Sequence, residues 1–190
     1  MKNNYLAFGL LCLIALTPLA RAEPSVSHNI ITAVTKRMVV WRNPYTQEPT
    51  YVSHCRRARG GCESRINQYA GYILESSNRH GVDPVLVAAL AWHETRWHPY
   101  AEGPVGEFGI IQLHPKSPWG REARKRCRRT SKTRCEALIV DIGVRTLAAS
   151  IKTCGNVLEG LGRYNTGKCM VNKYSRKVGK YYEEMKGDAH

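Results

Sequence analysis

Acidic residues are scarce in this chain: 15 Asp and Glu face 29 Lys and Arg, a formal net charge of +14. That imbalance favours an anionic neighbour, whether nucleic acid, an acidic polymer or a membrane surface. No Cys-x-x-Cys pair occurs, which removes the usual framework of a zinc site, and neither metal nor cofactor is expected. No apolar stretch reaches the ~20 residues of a membrane span. The longest, Tyr5 to Leu19, is broken by Thr17 and Pro18. Strong strand alternation is absent after residue 62, so the chain reads as mainly α.

What the amino terminus does hold is a basic start at Lys2, an apolar middle, and Ala20-Arg21-Ala22. This pattern predicts a secretory signal peptide cleaved after Ala22. Leu11 stands before Cys12 where a lipoprotein signal would carry a small residue, so a free protein is expected, secreted or periplasmic and monomeric. Export argues against nucleic acid as the partner. Cleavage leaves 190 − 22 = 168 residues, enough for one cored domain, and removes Lys2 and Arg21, leaving 14 − 2 = +12. Six cysteines remain. Six allow 15 pairings, but their order forms three close couples, Cys55–Cys62, Cys127–Cys135 and Cys154–Cys169, which are the disulfides expected of an exported chain.

The predicted organisation is a signal peptide (1–22), an N-terminal arm (23–62), a helical domain (63–185) and a tail (186–190). Within the arm, Met38, Val39, Val40 and Trp41 suggest a short strand over Lys36–Arg42, with a turn at Asn43-Pro44. Ile66, Tyr69, Ala70, Ile73 and Leu74 form the first helical stripe, closed by Gly81. Asp83 then caps a second helix with Pro84 at its first position. From Val85 to Trp92 every residue is apolar, the mark of a helix with no solvent face. Glu94 falls in its last turn. Between Pro115 and Cys135 lie Arg121, Arg124, Lys125, Arg126, Arg128, Arg129, Lys132 and Arg134. They read either as a solvated loop or as a patch for an anionic envelope surface. A helix through Val140, Val144, Leu147, Ala148 and Ile151 follows, then a short one capped by Asn156, and a last one through Tyr174, Val178, Tyr181, Tyr182 and Met185.

His93-Glu94-Thr95-Arg96-Trp97-His98 invites comparison with a zinc-protease helix, which needs histidines four apart. Here they are five apart and diverge by roughly 140° around a helix of 3.6 residues per turn. Glu94 instead follows an apolar helix at its negative end, with Trp92 and Trp97 close in sequence. Desolvation and the helix dipole both disfavour its anion and push its pKa up. A carboxyl kept protonated near neutrality can donate to the oxygen of a glycosidic bond. The alternative is a helix-end glutamate in a surface ion pair, with His93 or Arg96 as its partner.

Glu94-Thr95, Pro99, Ala101 and Gly103-Pro104-Val105-Gly106-Glu107-Phe108-Gly109-Ile110-Ile111-Gln112-Leu113-His114-Pro115 resemble the soluble lytic transglycosylase family. That family reads Glu-Ser, Pro, Ala, Ser-Pro-Val-Gly-Ala-x-Gly-Leu-Met-Gln and Pro. Tyr164-Asn165-Thr166-Gly167 is similar to its Tyr-Asn-Ala-Gly, and Tyr174 and Val178 match its last helix. The resemblance implies a lysozyme-like helical fold, peptidoglycan as substrate, and cleavage between N-acetylmuramic acid and N-acetylglucosamine. It implies that Glu94 protonates the leaving oxygen, then takes the proton of the muramoyl 6-hydroxyl to close a 1,6-anhydro ring. Such a mechanism needs one carboxylate rather than the usual flanking pair, and no second acid stands near Glu94 until Glu107. By the same resemblance Thr95, Gly109, Gln112, Tyr164 and Asn165 are substrate-site residues. Gln112 is alternatively a polar group satisfying buried backbone, Tyr164 a packing residue, and Gly109 a turn or close-approach position. The chain departs from the family at Thr95, Gly103, Glu107 and Ile110-Ile111, and in its basic stretch and disulfides.

Overall fold

The computed structural model describes residues 26–188; the expected signal peptide, with Cys12 and Ala22, lies outside them. The described chain runs α1 (Val26–Met38), β1 (Val39–Arg42), β2 (Pro49–Tyr51), α2 (Ser53–Arg56), α3 (Gly61–His80), α4 (Pro84–Thr95), α5 (Pro118–Cys127), α6 (Lys132–Cys154), α7 (Val157–Thr166) and α8 (Lys173–Asp188). β1 and β2 pair as one antiparallel hairpin. The fold is mainly α and lysozyme-like and carries three disulfides; the expected stapled periphery fails for Cys55–Cys62, which is buried in the core. None of the described helices is long and apolar enough to cross a membrane.

Local chemistry sets the helix ends. Gly81 closes α3 in a left-handed conformation, φ 66°, and Asp83 Oδ1 accepts from the Val85 amide at 2.8 Å to open α4. Asn156 Oδ1 accepts from the Glu159 amide at 2.9 Å to open α7. Between its caps α4 has no polar stripe: Leu86, Val87, Ala88, Ala89, Leu90 and Ala91 are all buried. It is the axis of the core, with α1, α3 and α8 packed around it. Small side chains at Ala88, Ala89 and Ala91 let those neighbours approach closely. Truncating Leu90 to Ala there removes buried methyls at a cost of about 2–5 kcal/mol.

Two stretches differ from the sequence reading. The arm before Cys55 is largely structural: Ile30, Ala33, Val34 and Met38 of α1 lie in the same core as α4. Lys36–Met38 belong to this helix, and the strand starts at Val39. The β-branched and aromatic run behind it masked the helical stripe. The basic stretch is not a loop. Ser117 Oγ accepts from the Gly120 amide at 2.9 Å, Pro118 takes the first helical position, and α5 runs to Cys127. Its inward face is only Gly120 and Ala123, too narrow to stand out among the charges. A Cβ at Gly120 would lie 2.1 Å from the His114 carbonyl oxygen, so the approach itself requires glycine.

The disulfides pair neighbours along the chain. Cys55–Cys62 ties α2 to the first turn of α3, Cys127–Cys135 ties α5 to α6, and Cys154–Cys169 spans α7 to fasten the connection into α8. The last turn of α8 extends past residue 185, and Asp188 there forms ion pairs with Lys36 and Arg37 of α1.

Candidate active site

α4 stops at Thr95 because the next two residues, Arg96 and Trp97, both adopt left-handed backbone, φ 55° and 59°. Such conformations cost non-glycine residues about 1–3 kcal/mol each and persist where surroundings over-determine them. Trp97 is wholly buried and donates Nε1–H to the Ala88 carbonyl at 3.0 Å. Arg96 lies over the Trp92 and Tyr181 rings and donates to the Tyr181 hydroxyl at 3.2 Å. These contacts turn the chain back across the end of α4. The cation that could have paired with Glu94 is engaged elsewhere, and His93 packs edge-on against Tyr174.

The returning loop is held by backbone bonds between Phe108 and Leu113, 3.2 and 2.9 Å. Thr95 is buried, and its hydroxyl lies 2.9 Å from the Ile110 carbonyl oxygen and 3.2 Å from that of Ala91. It fastens helix to loop, and its methyl shares that dry seam. Gly109, φ 79°, is also buried away from solvent: a Cβ there would lie 2.4 Å from Ile139 Cγ2 of α6. Gln112 braces the backbone of the loop from within the cleft wall. Its Nε2 donates to the Ala101 and Gly109 carbonyls at 2.9 and 3.1 Å, while the side chain lines the cleft beside Glu94. Two carbonyl partners fix which end of the amide is the nitrogen.

That cleft has a volume of about 330 Å³, and Glu94, Glu107, Gln112, His114, Trp119, Thr146, Tyr164 and Asn165 are among its walls. Hollows of about 570 and 650 Å³ lie elsewhere on the surface, but Glu94 opens into this one. Burial pushes the Glu94 carboxyl from 4.5 up to about 7; a hydrogen bond from Tyr174 pulls it down, and the Glu107 charge adds a smaller upward push. The Tyr174 hydroxyl donates to Glu94 Oε1. Burial, then the Glu94 charge, holds the Tyr174 phenol well above its ordinary range, so it remains a donor. Tyr164 stands in the cleft wall but donates to the Ile111 carbonyl at 2.8 Å, fixing the loop rather than the acid. Asn165 is exposed at the rim.

Glu107 occupies space that the sequence vacates. A Cβ on residue 103 would lie 2.3 Å from Glu107 Oε2 and 2.7 Å from Gln112 Oε1. Glu107 Oε2 also accepts from the Val105 amide at 3.1 Å, bracing the turn. The two departures from the family pattern, Gly103 and Glu107, are thus one exchange of side-chain volume.

Tyr174, the hydrogen-bond donor to Glu94, is matched by the sequence only as part of a helix. It lies 80 positions from Glu94, and no local pattern joins them. Trp119 was hidden in the basic stretch; it sits at the start of α5 with Arg145 stacked 5.0 Å over its ring, one face of the cleft. Asp141 is not part of this cleft: it accepts from Arg79, pairs with His80 and lines a different hollow.

The sequence profile described as "Transglycosylase SLT domain" matches residues 71–185, more than half of the chain. Among curated proteins, "Membrane-bound lytic murein transglycosylase F 1" of Alkalilimnicola ehrlichii is 37% identical over 49 residues, 26% of this chain and 10% of that protein. "Membrane-bound lytic murein transglycosylase C" of Actinobacillus pleuropneumoniae is 28% identical over 68 residues, 36% of this chain and 18% of that protein. The matches span less than a fifth of the length of these relatives. No solved structure matches the chain significantly.

Proposed function

The chain belongs to the transglycosylase SLT family, and from that premise we propose that it is a peptidoglycan lytic transglycosylase. It cleaves the β-1,4 bond between N-acetylmuramic acid and N-acetylglucosamine. Glu94 gives its proton to the glycosidic oxygen as the bond to the muramoyl anomeric carbon breaks. The resulting carboxylate takes the proton of the muramoyl 6-hydroxyl as that oxygen bonds the same carbon, closing a 1,6-anhydro ring and restoring the acid. One carboxyl serves both steps, so no water is consumed. The observation that carries this reading is a cleft-lining glutamic acid with a pKa raised to about 7 by burial and one phenol as its hydrogen-bond donor.

The other groups take supporting roles. Tyr174 aims the carboxyl, Trp119 offers an apolar face to a sugar ring, and Asn165 offers hydrogen bonds at the rim. Gln112 and Tyr164 stiffen the loop, and Thr95 and Gly109 position it from behind. Arg121, Arg124, Lys125, Arg128 and Arg129 of α5 and its end line a hollow of about 330 Å³ and hold the exported monomer against an anionic envelope surface. Nucleic acid is not the partner.

Replacing Glu94 with Gln keeps the shape and removes the transferable proton. Wall lysis should vanish while wall binding persists. Undiminished lysis by the Glu94→Gln protein would overturn the assignment and favour a binding module whose activity came from elsewhere. A hydrolytic muramidase using Glu107 to place water is the second reading, since Glu107 shares the cleft.

A further inference from the structure

A second groove of about 650 Å³ is lined by His93, Lys173, Tyr174, Arg176, Lys177 and Lys180. Tyr174 donates to Glu94, so the proton donor and this groove are separated by one side chain. Residues 173, 176, 177 and 180 recur at the three- and four-residue spacing of a single helix face. Their charges therefore follow one another along roughly 10 Å of α8 at 1.5 Å per residue. Among the described residues no acid lines the groove. The Lys173 and Arg176 side chains make no hydrogen bond or ion pair among the described residues, and both residues are exposed. Lys177 rests over the Tyr181 ring at 5.0 Å, and Lys180 reaches only Glu184, at 3.8 Å. Burial, then Arg96 and Lys177, hold His93 below its ordinary pKa, so it adds a neutral hydrogen-bonding wall.

A cationic trough beside a glycan cleft must meet whatever the glycan carries as a side branch. The muramoyl sugar, the residue whose bond is broken, bears a short peptide with free carboxylates. An extended peptide advances ~3.3–3.6 Å per residue, so three or four residues cover the span of the four cations. We propose that this groove receives the carboxylates of the peptide stem on the muramoyl sugar next to the scissile bond, so that it sets a preference for stem-bearing strands. The proposal rests on the transglycosylase reading of Glu94. Unlike the cations toward the end of α5, this site would act on substrate choice rather than on adhesion.

The test compares kcat/KM on purified glycan strands bearing stems with that on the same strands freed of stems by amidase. The wild-type protein is compared with Lys173→Gln/Arg176→Gln/Lys177→Gln, and thermal melting confirms that this variant is folded. Wild-type protein should favour stem-bearing strands. Losing charge-assisted bonds worth about 1.4 kcal/mol or more should cut that preference at least about tenfold. Arg176→Lys alone should retain it. An unchanged preference in the triple variant, or equal loss on both strands, would overturn the proposal. So would a preference that follows a phosphate-bearing wall polymer instead of the stem. Absence of any product from either strand with the wild-type protein would instead overturn the transglycosylase reading.

Discussion

At the residue scale, the site turns on one carboxyl whose neutral form the fold prefers. In the proposed mechanism its acid form is the working form, so the rate should fall about tenfold per pH unit as pH rises above about 7. Stability follows the same sign. A carboxyl with a folded pKa near 7 and an ordinary value of 4.5 binds its proton more tightly when folded. Its contribution is therefore fully present below pH 4.5 and is lost as pH rises to 7. Glu94→Gln removes that loss, so it should stabilise the protein at pH 8 by up to about 3 kcal/mol, with little effect at pH 4. Paired melting curves at the two pH values check this. Tyr174→Phe removes the bond that lowers the Glu94 pKa, so the alkaline limb of the pH–rate profile should move to higher pH. An acid shift would contradict the role given to Tyr174. Gly103→Ser should destabilise by about 1–3 kcal/mol through overpacking against Glu107. Adding Glu107→Ala should recover most of it in a double-mutant cycle. Glu94 was legible in the sequence from its apolar helix and its place in a run of motif residues. Tyr174 was not, because only the packing of α8 on α4 joins them.

At the scale of elements, the sequence was most legible where a cap or turn demands one residue type. Gly81, Asp83-Pro84 and Asn156 each marked a helix end by local capping chemistry. Reversal of the chain after α4 left no such mark, since Arg96 and Trp97 occupy conformations normally given to glycine and are held by distant partners. α5 was missed for a different reason: its buried stripe is two small residues, and charge dominated the reading. The connection from α7 to α8 is where an element governs the site, because it delivers Asn165 to the cleft and Tyr174 to Glu94. Cys154–Cys169 closes that segment over a separation of 15 residues. Replacing both cysteines with serine should cost about 2–4 kcal/mol of stability. Denaturant titration of the oxidised wild type against the double variant measures it, and an unchanged midpoint would show that α7 and α8 hold the segment unaided.

At the scale of the molecule, one helix organises three tasks. α4 fills the core with six consecutive buried residues, ends where two left-handed residues turn the chain, and leaves Glu94 at the mouth of the cleft. α1 and α8 clamp it, and Asp188 joins the two by pairing with Lys36 and Arg37. The amino-terminal segment looked peripheral because its charges and short strand obscured four buried side chains. The excess of basic residues falls into separate sets, one on α5 and one on α8 beside the acid. In the proposed reaction a single carboxyl donates and then recovers its proton without water. Mass spectrometry of muropeptides released from purified wall addresses it most directly. Anhydromuramoyl ends are expected, each one water lighter than a reducing end and free of label when digestion is run in heavy-oxygen water. Reducing ends carrying the label would contradict it and assign water delivery to Glu107.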